Sequence, residues 1–191
     1  MVIKYFLNTK GDATCTLAVC CAHIILNLNL VWGPTLYFSC TEETVDSQWQ
    51  NSWDRPLSFS CRDNQALYRV KSTHSNRKED RVWEWSCRTV LKGNTRFRGS
   101  DCKWTGWQNG YDLPLMFQCP ANKVLTGVKS IHHNGKEDRV WAFQCCSARD
   151  YYTRNCYLSN WINDWDRSMD HSVSSPQVFT GAYSYHNNRH E

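Results

Sequence analysis

Apolar and polar side chains alternate with a period of two in two neighbouring segments of the chain. Residues 124–131 form one segment and residues 139–146 form the other. A period of two is the spacing at which side chains along a β-strand point to the same face. The stretch between the segments reads HHNGKED and is rich in turn-forming residues. The pattern therefore predicts a β-hairpin.

Shorter apolar stretches precede this hairpin, namely LPLMFQC at 113–119 and WTGW at 104–107. Each predicts one further short strand, and no segment shows the period of an amphipathic helix. The chain is therefore expected to be all-β and to consist of short antiparallel strands.

The same pattern recurs along the chain in a fixed register. An offset of 58 places PLSFSC on PLMFQC and KEDRVWEWSC on KEDRVWAFQC, and an offset of 54 places VLTGVKSIHHNGKE on VFTGAYSYHNNRHE. Ungapped registers of this length indicate internal duplication. The chain then contains three repeat units, at about 48–102, 103–156 and 157–191.

One unit alone would leave a face of its sheet exposed, so we expect the three units to share one core. Threefold repetition suggests a pseudo-threefold arrangement, as in trefoil- or prism-like folds. The third unit reaches Glu191 without an Asp-Arg-x-Trp strand. We therefore expect residues 1–191 to be an incomplete form, in which the strand containing Val178 and Ala182 has no hairpin partner and is poorly covered. The alternative is that a neighbouring subunit or the N-terminal segment closes this hairpin.

The repeated Asp-Arg-x-Trp motif is expected to be structural, because it recurs at equivalent positions of the units. On a strand, its Trp, the next aromatic residue and the Cys lie on one face, which predicts burial. The Arg is expected to bind carbonyl groups or to pair with the motif's Asp or with an acid of a neighbouring unit. The motif residues are Asp80, Arg81, Trp83, Asp138, Arg139 and Trp141.

Composition and charge argue against several classes of function. Aromatic residues make up 14% of the chain, including 10 Trp, which is too many for a disordered protein. The formal net charge of +4 is too small to indicate nucleic-acid binding. The sequence has no Gly-x-Ser-x-Gly elbow of a hydrolase. We expect no enzymatic activity, no cofactor and no nucleic-acid partner.

Cysteine usage points to an oxidising compartment. The chain has 11 Cys, with neither a CxxC pair nor zinc-finger spacing to His, so we expect disulfides and no metal site. Lys4 and Lys10 precede a mostly apolar run from Thr16 to Trp32, which is the layout of a secretory signal peptide. Residues 1–33 are expected to be this signal peptide or an N-terminal extension, followed by one domain at 34–191.

The repeat predicts two of the disulfides. Cys61 with Cys87, and Cys119 with Cys145, would close equivalent loops in the first two units. The other cysteines of the domain are expected to pair among themselves, in a way that the sequence leaves open. These are Cys40, Cys102, Cys146 and Cys156.

His74, His132 and His186 are equivalent across the units and belong to the predicted hairpin loops. Their surroundings favour a role in turns or capping, with ligand contact and a metal site as alternatives. The Lys-Glu-Asp run that follows in the first two units is expected to be a solvated turn.

A basic stretch joins the first two units. It contains five cations against a single acid, within a loop that also carries Gly, Asn and Ser. Such a loop is a candidate contact for sulfated glycans, and a solvated linker is the alternative. The candidate glycan-binding residues are Arg88, Lys92, Arg96, Arg98 and Lys103.

The repeated motifs resemble those of dermatopontin and its invertebrate relatives. The resemblance is carried by QWQNSWDRPLSFSC, HSNRKEDRVWEWSC, HHNGKEDRVWAFQCC and WINDWDRSMD, and it extends from Gln48 to Glu191. It implies a secreted, disulfide-bonded, non-enzymatic protein of the extracellular matrix that mediates adhesion. The implied partners are sulfated glycosaminoglycans or proteoglycans, collagen, or cell-surface glycans. The alternative function implied by invertebrate relatives is that of a haemagglutinating lectin or a cytolytic defence or venom protein.

Overall fold

A computed structural model of the chain describes Val2–Asn8 and residues 49–91, 93–97, 101–148 and 151–188. Within these ranges, eleven strands form three antiparallel sheets and there is no α-helix. The all-β fold expected from the sequence is therefore confirmed. The same ranges hold no helix of the length and apolar character needed to cross a membrane.

The strands are short, and the longest belong to the predicted hairpins. Their bounds are β1 (Val2–Asn8), β2 (Leu57–Ser60), β3 (Gln65–Ser75), β4 (Asp80–Thr89), β5 (Cys102–Trp104), β6 (Leu115–Gln118), β7 (Val124–His133), β8 (Asp138–Cys146), β9 (Tyr157–Leu158), β10 (Met169–Ser172) and β11 (Val178–Tyr185). The sheets have the orders β6-β11-β1-β9, β10-β3-β4 and β2-β7-β8-β5.

Each sheet is organised around one long antiparallel pair, and all three pairs carry a bulge at the same repeat position. The bulge follows Leu67 in the β3–β4 pair and Leu125 in the β7–β8 pair. In the β11–β1 pair it follows Phe179, which is the equivalent residue of the third unit. The duplication of the sequence therefore extends to the backbone register.

In each unit, the short strand that directly precedes the long repeat strand pairs with the long strand of another unit. Strand β2 pairs with β7, β6 pairs with β11, and β10 returns to pair with β3. The pairings Leu57–Ser130, Leu115–Ser184 and Met169–Ser72 occupy the same register in the three sheets. The three units thus exchange strands in a closed cyclic order, which we call the strand ring; its likeness to a trefoil or prism stays a prediction.

Strand β11 does have a partner, which differs from the expectation of an unpaired strand. It lies between β6 and β1, and its residues Val178 and Ala182 are buried. Strand β1 belongs to residues 1–33, for which the sequence predicts a signal peptide. Most of that segment lies outside the described residues, and the signal peptide stays a prediction.

The core is formed by the aromatic face of the repeated motif. Trp83, Trp85, Trp141 and Phe143 are all buried, as their strand positions predict. The rings of Trp83 and Trp141 meet edge to face with centroids 4.8 Å apart, so the first two units contact each other through the same motif residue. Each buried aromatic side chain stabilises the fold by roughly 2–3 kcal/mol.

Three disulfides reinforce this core. Cys61–Cys87 and Cys119–Cys145 are the two pairs that the repeat predicts, and each spans 26 residues. In the chain-entropy model a loop of this length contributes roughly 3–4 kcal/mol. The third disulfide in the described part of the chain joins Cys102 to Cys146, and among the described cysteines Cys156 is exposed without a disulfide. Cys40 lies outside the described residues.

Candidate functional site

The turn ends of the long hairpins converge on one small polar cavity, which we call the junction cavity. It is lined by His74, His132, His186, Glu79, Glu137, Asp80, Asp138, Asp166, Arg81, Arg139 and Trp83. The cavity measures about 30 Å³, which is room for about two water molecules. All three repeated histidines face it. Residues that the sequence assigns to surface turns therefore lie at the meeting point of the units.

Two of the histidines each lie between two carboxylates of the preceding unit. We number the junctions by the units that meet there. At the first junction, between the first and second units, His132 Nδ1 is 3.7 Å from Asp54 Oδ1 and its Nε2 is 4.0 Å from Asp80 Oδ1. At the second junction, His186 Nε2 is 3.8 Å from Asp112 Oδ1 and its Nδ1 is 3.6 Å from Asp138 Oδ1. The His132 side chain is only 2% exposed. The side chains of these histidines lie at the contacts between units, and His132 Nδ1 is also 3.1 Å from Asn134 Oδ1 of its own turn, so the role in turns or capping stays a prediction.

The first junction also contains a buried ion pair that crosses between units. Arg139 donates from Nε to Asp80 Oδ1 at 2.6 Å and from Nη2 to Asp80 Oδ2 at 2.7 Å. Its Nη2 also donates to the Arg55 carbonyl at 3.1 Å. The expectation that the motif's Arg pairs with an acid of a neighbouring unit is therefore confirmed for Arg139. Because Asp80 and Asp138 are buried, the solvated-turn prediction is wrong for both aspartates.

The third junction, between the third and first units, repeats part of the arginine and histidine geometry of the first junction. Arg81 Nη2 donates to the Arg167 carbonyl at 3.0 Å, as Arg139 does to the carbonyl of Arg55. His74 Nε2 is 3.8 Å from Asp166 Oδ1. Burial lowers the pKa of Arg81 to about 10. The pKa of His74 is lowered by its burial and by the nearby positive charge of Arg81.

Sequence reasoning missed the aspartates at 54, 112 and 166 as site residues. All three adopt a left-handed backbone conformation, with φ of 62°, 61° and 55° respectively. Aspartate tolerates this conformation better than most residues. The Asp54 amide donates to Asp80 Oδ2 at 2.8 Å, and the Asp112 amide donates to Asp138 Oδ2 at 2.9 Å. Their recurrence at the repeat offsets, beside an aligned aromatic residue, is the pattern that identifies them.

The two glutamates that end the hairpin turns lie beside each other. Glu79 and Glu137 also have positive φ, at 47° and 49°. A side-chain hydrogen bond to Glu137 raises the pKa of Glu79, and desolvation adds to this effect. The mouth of the cavity is therefore acidic, whereas its interior holds two guanidinium groups.

One group of side chains has the composition of a metal site. Potential ligand atoms of Asp54, Asp80 and His132 lie within 4.8 Å of one another. Both oxygens of Asp80, however, already accept hydrogen bonds from the Arg139 guanidinium. A cation bound there would sit beside that positive charge, so the geometry favours an ion-pair network over metal binding.

Of the basic stretch that the sequence proposes for glycans, the structure describes Arg88, Arg96 and Lys103, and a shared glycan-binding surface stays a prediction. The guanidinium of Arg88 lies 3.9 Å from the centroid of the Tyr68 ring and donates to the Val173 carbonyl at 2.7 Å. Arg96 and Lys103 are exposed. Lys92 and Arg98 lie outside the described residues.

A further set of side chains consists of three tryptophans that the repeat offsets of 58 and 54 make equivalent. Trp107 is 49% exposed and Trp161 is 40% exposed. Trp49, the equivalent residue of the first unit, is partly buried, with the Lys71 ammonium 5.4 Å from its ring centroid. Trp161 stacks on Tyr183 with centroids 5.5 Å apart. We call these three residues the surface tryptophans.

Comparison with known proteins finds one family and several relatives. The family model described as Dermatopontin matches residues 51–191. A protein named Hemagglutinin/amebocyte aggregation factor, from Limulus polyphemus, is 33% identical over 150 residues, which cover 78% of this chain and 84% of the relative. A Dermatopontin from Biomphalaria glabrata is 38% identical over 132 residues, covering 69% of this chain and 85% of the relative.

A more distant relative carries a different name. Millepora cytotoxin-1, from Millepora dichotoma, is 29% identical over 141 residues, which cover 74% of this chain and 61% of that protein. No solved structure matches the chain.

Proposed function

Because the chain belongs to the dermatopontin family, a family of extracellular-matrix-type proteins, we propose that it is a secreted adhesion protein that binds glycans. The observation that carries this proposal is the exposure of Trp107 and Trp161 at equivalent positions of two repeat units. In this proposal the protein acts by binding and has no catalytic role.

Exposed indole rings at repeated positions suit the recognition of sugars. Tryptophan is enriched at binding surfaces because it offers a large apolar face and a polar N–H group, so two half-exposed tryptophans at equivalent repeat positions support a contact role. The flat ring presents an apolar face to the C–H face of a sugar ring, and hydroxyl groups at its border remain in water.

Two or more such sites on one molecule allow it to link separate glycan chains. Binding through several weak sites raises the overall avidity without any new contact. Agglutination of cells requires this multivalency, and the name of the Limulus relative fits such an activity. Cytolysis is suggested by the name of the Millepora relative alone.

The finer proposal is that the bound glycans are anionic, as in sulfated glycosaminoglycans or proteoglycans. Arg96 and Lys103 are exposed cations, and Lys71 places an ammonium group beside the Trp49 ring. Collagen is a further partner implied by the family resemblance.

The test is a glycan array combined with agglutination of glycan-bearing cells. We expect the double substitution Trp107→Ala and Trp161→Ala to abolish agglutination and to weaken glycan binding, while the thermal midpoint stays nearly constant. Each single substitution should reduce agglutination more than binding, because cross-linking needs two sites. Leu113→Ala with Met116→Ala is the matched control, since both residues are exposed and apolar but not aromatic. Unchanged array binding by the double tryptophan variant would refute the proposal.

The anionic preference has its own test on immobilised heparin. The substitutions Arg96→Ala and Lys103→Ala together should lower the salt concentration at which the protein elutes, because surface charge contacts are screened over about 8 Å at physiological ionic strength. If this variant elutes with the wild type, these two cations do not contribute to binding and the anionic preference loses its support.

A further inference from the structure

We infer that the turn between β7 and β8 is a modification site, at which Asn134 loses its side-chain amide nitrogen with the help of two histidines. The reaction is the deamidation of an Asn-Gly pair through a cyclic imide, and it needs water but no enzyme. The inference rests on contacts within this turn and does not depend on glycan binding at the surface tryptophans.

The two reacting residues lie next to each other at the tip of the turn. Asn134 and Gly135 are both exposed to solvent. The backbone nitrogen that follows an asparagine is held near the side-chain Cγ atom, so its attack on that atom is intramolecular. Glycine hinders this attack least because it has no Cβ atom. A Cβ atom at Gly135 would lie 3.3 Å from His133 Cε1, which is a tight contact.

His133 is positioned to take the proton from the attacking nitrogen. The Gly135 amide donates to His133 Nδ1 at 3.1 Å, so this ring nitrogen is the acceptor and carries no proton. A general base must lie within hydrogen-bond reach of the proton that it removes, at about 2.6–3.2 Å. The His133 ring also contacts Tyr111, with centroids 5.2 Å apart, and this contact supports its place beside the turn.

His132 contacts the group that is attacked. Its Nδ1 atom is 3.1 Å from Asn134 Oδ1. Because an amide oxygen only accepts hydrogen bonds, Nδ1 is the donor in this contact. A donor at this oxygen stabilises the negative charge that develops when Cγ becomes tetrahedral. The His132 side chain is 2% exposed and lies at the first junction, so this donor is held in place before the reaction starts.

The groups of the turn account for each step. The Gly135 nitrogen forms a bond to Asn134 Cγ while its proton passes to His133 Nδ1. The bond between Cγ and Nδ2 then breaks, and Nδ2 takes a proton from the His133 imidazolium and leaves as ammonia. Water opens the resulting succinimide to aspartate or isoaspartate. In sum, asparagine and water give a carboxylic acid and ammonia, and nothing is oxidised or reduced.

The first unit supplies an unreactive reference in the same chain. Its turn has similar backbone bonds, because the Ser75 carbonyl accepts from two amides further along the turn, as the His133 carbonyl does. The repeat offset of 58 places Asn76 on Asn134. The first unit, however, has Ser75 in place of the base and Arg77 in place of the glycine. Asn76 should therefore persist under conditions in which Asn134 reacts.

The product changes the first junction. A carboxylate at position 134 introduces a negative charge beside His132 Nδ1, which also lies 3.7 Å from Asp54 Oδ1. The isoaspartate product in addition lengthens the backbone of the turn by one carbon atom. Molecules of different age should therefore differ in charge and in the geometry of this turn.

The test follows both asparagines in the folded full chain by peptide mapping, during incubation at neutral pH and physiological temperature. We expect Asn134 to convert, with isoaspartate among its products, and Asn76 to stay intact. His133→Phe keeps an aromatic ring beside Tyr111. It should slow the conversion by about 10-fold or more, because a positioned general base contributes about 10²–10⁴-fold in enzymes. In the chain unfolded by urea, the same substitution should have little effect.

Two further variants separate the base from other features of the turn. His133→Gln keeps a hydrogen-bond acceptor but is a far weaker base, and it should react as slowly as His133→Phe. Ser75→His combined with Arg77→Gly gives the first unit both reactive features and should make Asn76 convert. Circular dichroism checks that each variant is folded.

The inference fails if Asn134 stays intact in the folded chain while it converts in the unfolded chain. It also fails if both His133 variants convert at the wild-type rate when folded, because the imidazole then takes no part in the reaction. An unreactive Asn76 in the folded Ser75→His and Arg77→Gly variant would contradict the roles assigned to the two features.

Discussion

The two arginines of the repeated Asp-Arg-x-Trp motif have the same neighbours in sequence and different partners in space. Arg139 is neutralised by Asp80 through two short hydrogen bonds. Arg81 is equally buried and donates to a backbone carbonyl. A residue's role in this chain therefore depends on which unit faces it and cannot be transferred along the repeat.

This difference predicts unequal costs of substitution. Arg139→Met should destabilise the protein by roughly 3–5 kcal/mol, because it leaves the buried Asp80 carboxylate without its cation. Arg81→Met should cost less, because among the described residues the Arg81 guanidinium donates to the Arg167 carbonyl and makes no hydrogen bond to a carboxylate. Urea unfolding of the two variants measures both values. Equal losses would contradict the assignment of the ion pair to one junction.

A second residue-scale prediction concerns acid stability. The pKa of His74 is lowered from 6.5 by burial and by Arg81, so its neutral form is favoured in the fold. As the pH falls below about 6.5, the unfolded state takes up the proton first and stability is lost. His74→Asn should therefore lose less stability between pH 7 and pH 5 than the wild type. The measurement is urea unfolding at both pH values, with the exposed His133→Asn as control. A wild-type loss fully retained in His74→Asn would show that other groups govern this range.

At the scale of the strands, a close approach of two elements explains one glycine of the repeat. A Cβ atom at Gly127 would lie 2.9 Å from the Trp104 ring and 3.0 Å from the Phe59 carbonyl oxygen. Trp104 ends β5, and Phe59 belongs to β2, which the first unit contributes to this sheet. Gly127 thus lets a side chain from one edge strand cross the sheet close to the other edge strand.

Gly127→Ala should destabilise the protein by roughly 1–3 kcal/mol, the usual effect of overpacking. The tryptophan ring has some freedom to move, but the Phe59 carbonyl is held in the β2–β7 ladder. Gly106→Ala is the control, because a Cβ atom there meets nothing within 4 Å. Thermal unfolding followed by circular dichroism measures both midpoints. Equal midpoints for the two variants would show that the sheet absorbs the added methyl group.

The strands themselves are largely predictable from the sequence, but the way in which the repeat units exchange them is not. The alternation at 124–131 and 139–146 corresponds to β7 and β8, because a hairpin is local and its pattern depends on few residues. The motifs PLSFSC and PLMFQC correctly predict β2 and β6. Periodicity predicts which face of such a strand is buried, but it does not predict which hairpin the strand pairs with. That pairing depends on how all three units pack together.

The same dependence on all three units explains why the sequence does not predict the location of the repeated histidines. His74 and His132 occupy polar, turn-rich stretches, so local sequence favours a solvated role. Their burial arises because turns from different units meet, which is a long-range property of the fold. The signal in the sequence that points to a shared location is the repeat offset, because it aligns all three histidines at one position of the unit.

At the scale of the whole molecule, the strand ring makes the repeat units interdependent. The second unit gives β6 to the sheet of the third and receives β2 from the first. We therefore expect a single unfolding transition, with a calorimetric enthalpy equal to the van't Hoff enthalpy. A peptide comprising only residues 103–156 should remain unfolded by circular dichroism, because its own hairpin would lack β2. Separate transitions, or an independently folded peptide, would contradict the role of the ring.

The strand ring also limits how a chain of this kind changes its size. A stack of repeats has free ends, so a duplication lengthens it by one copy and leaves the existing contacts in place. Here β10 of the last unit already pairs with β3 of the first, and a fourth copy has no vacant strand to join. Insertion of a copy would require every junction to open and the angles between neighbouring units to change together. The geometry of the ring therefore favours three units, whereas the loops and the surface tryptophans can change without opening it.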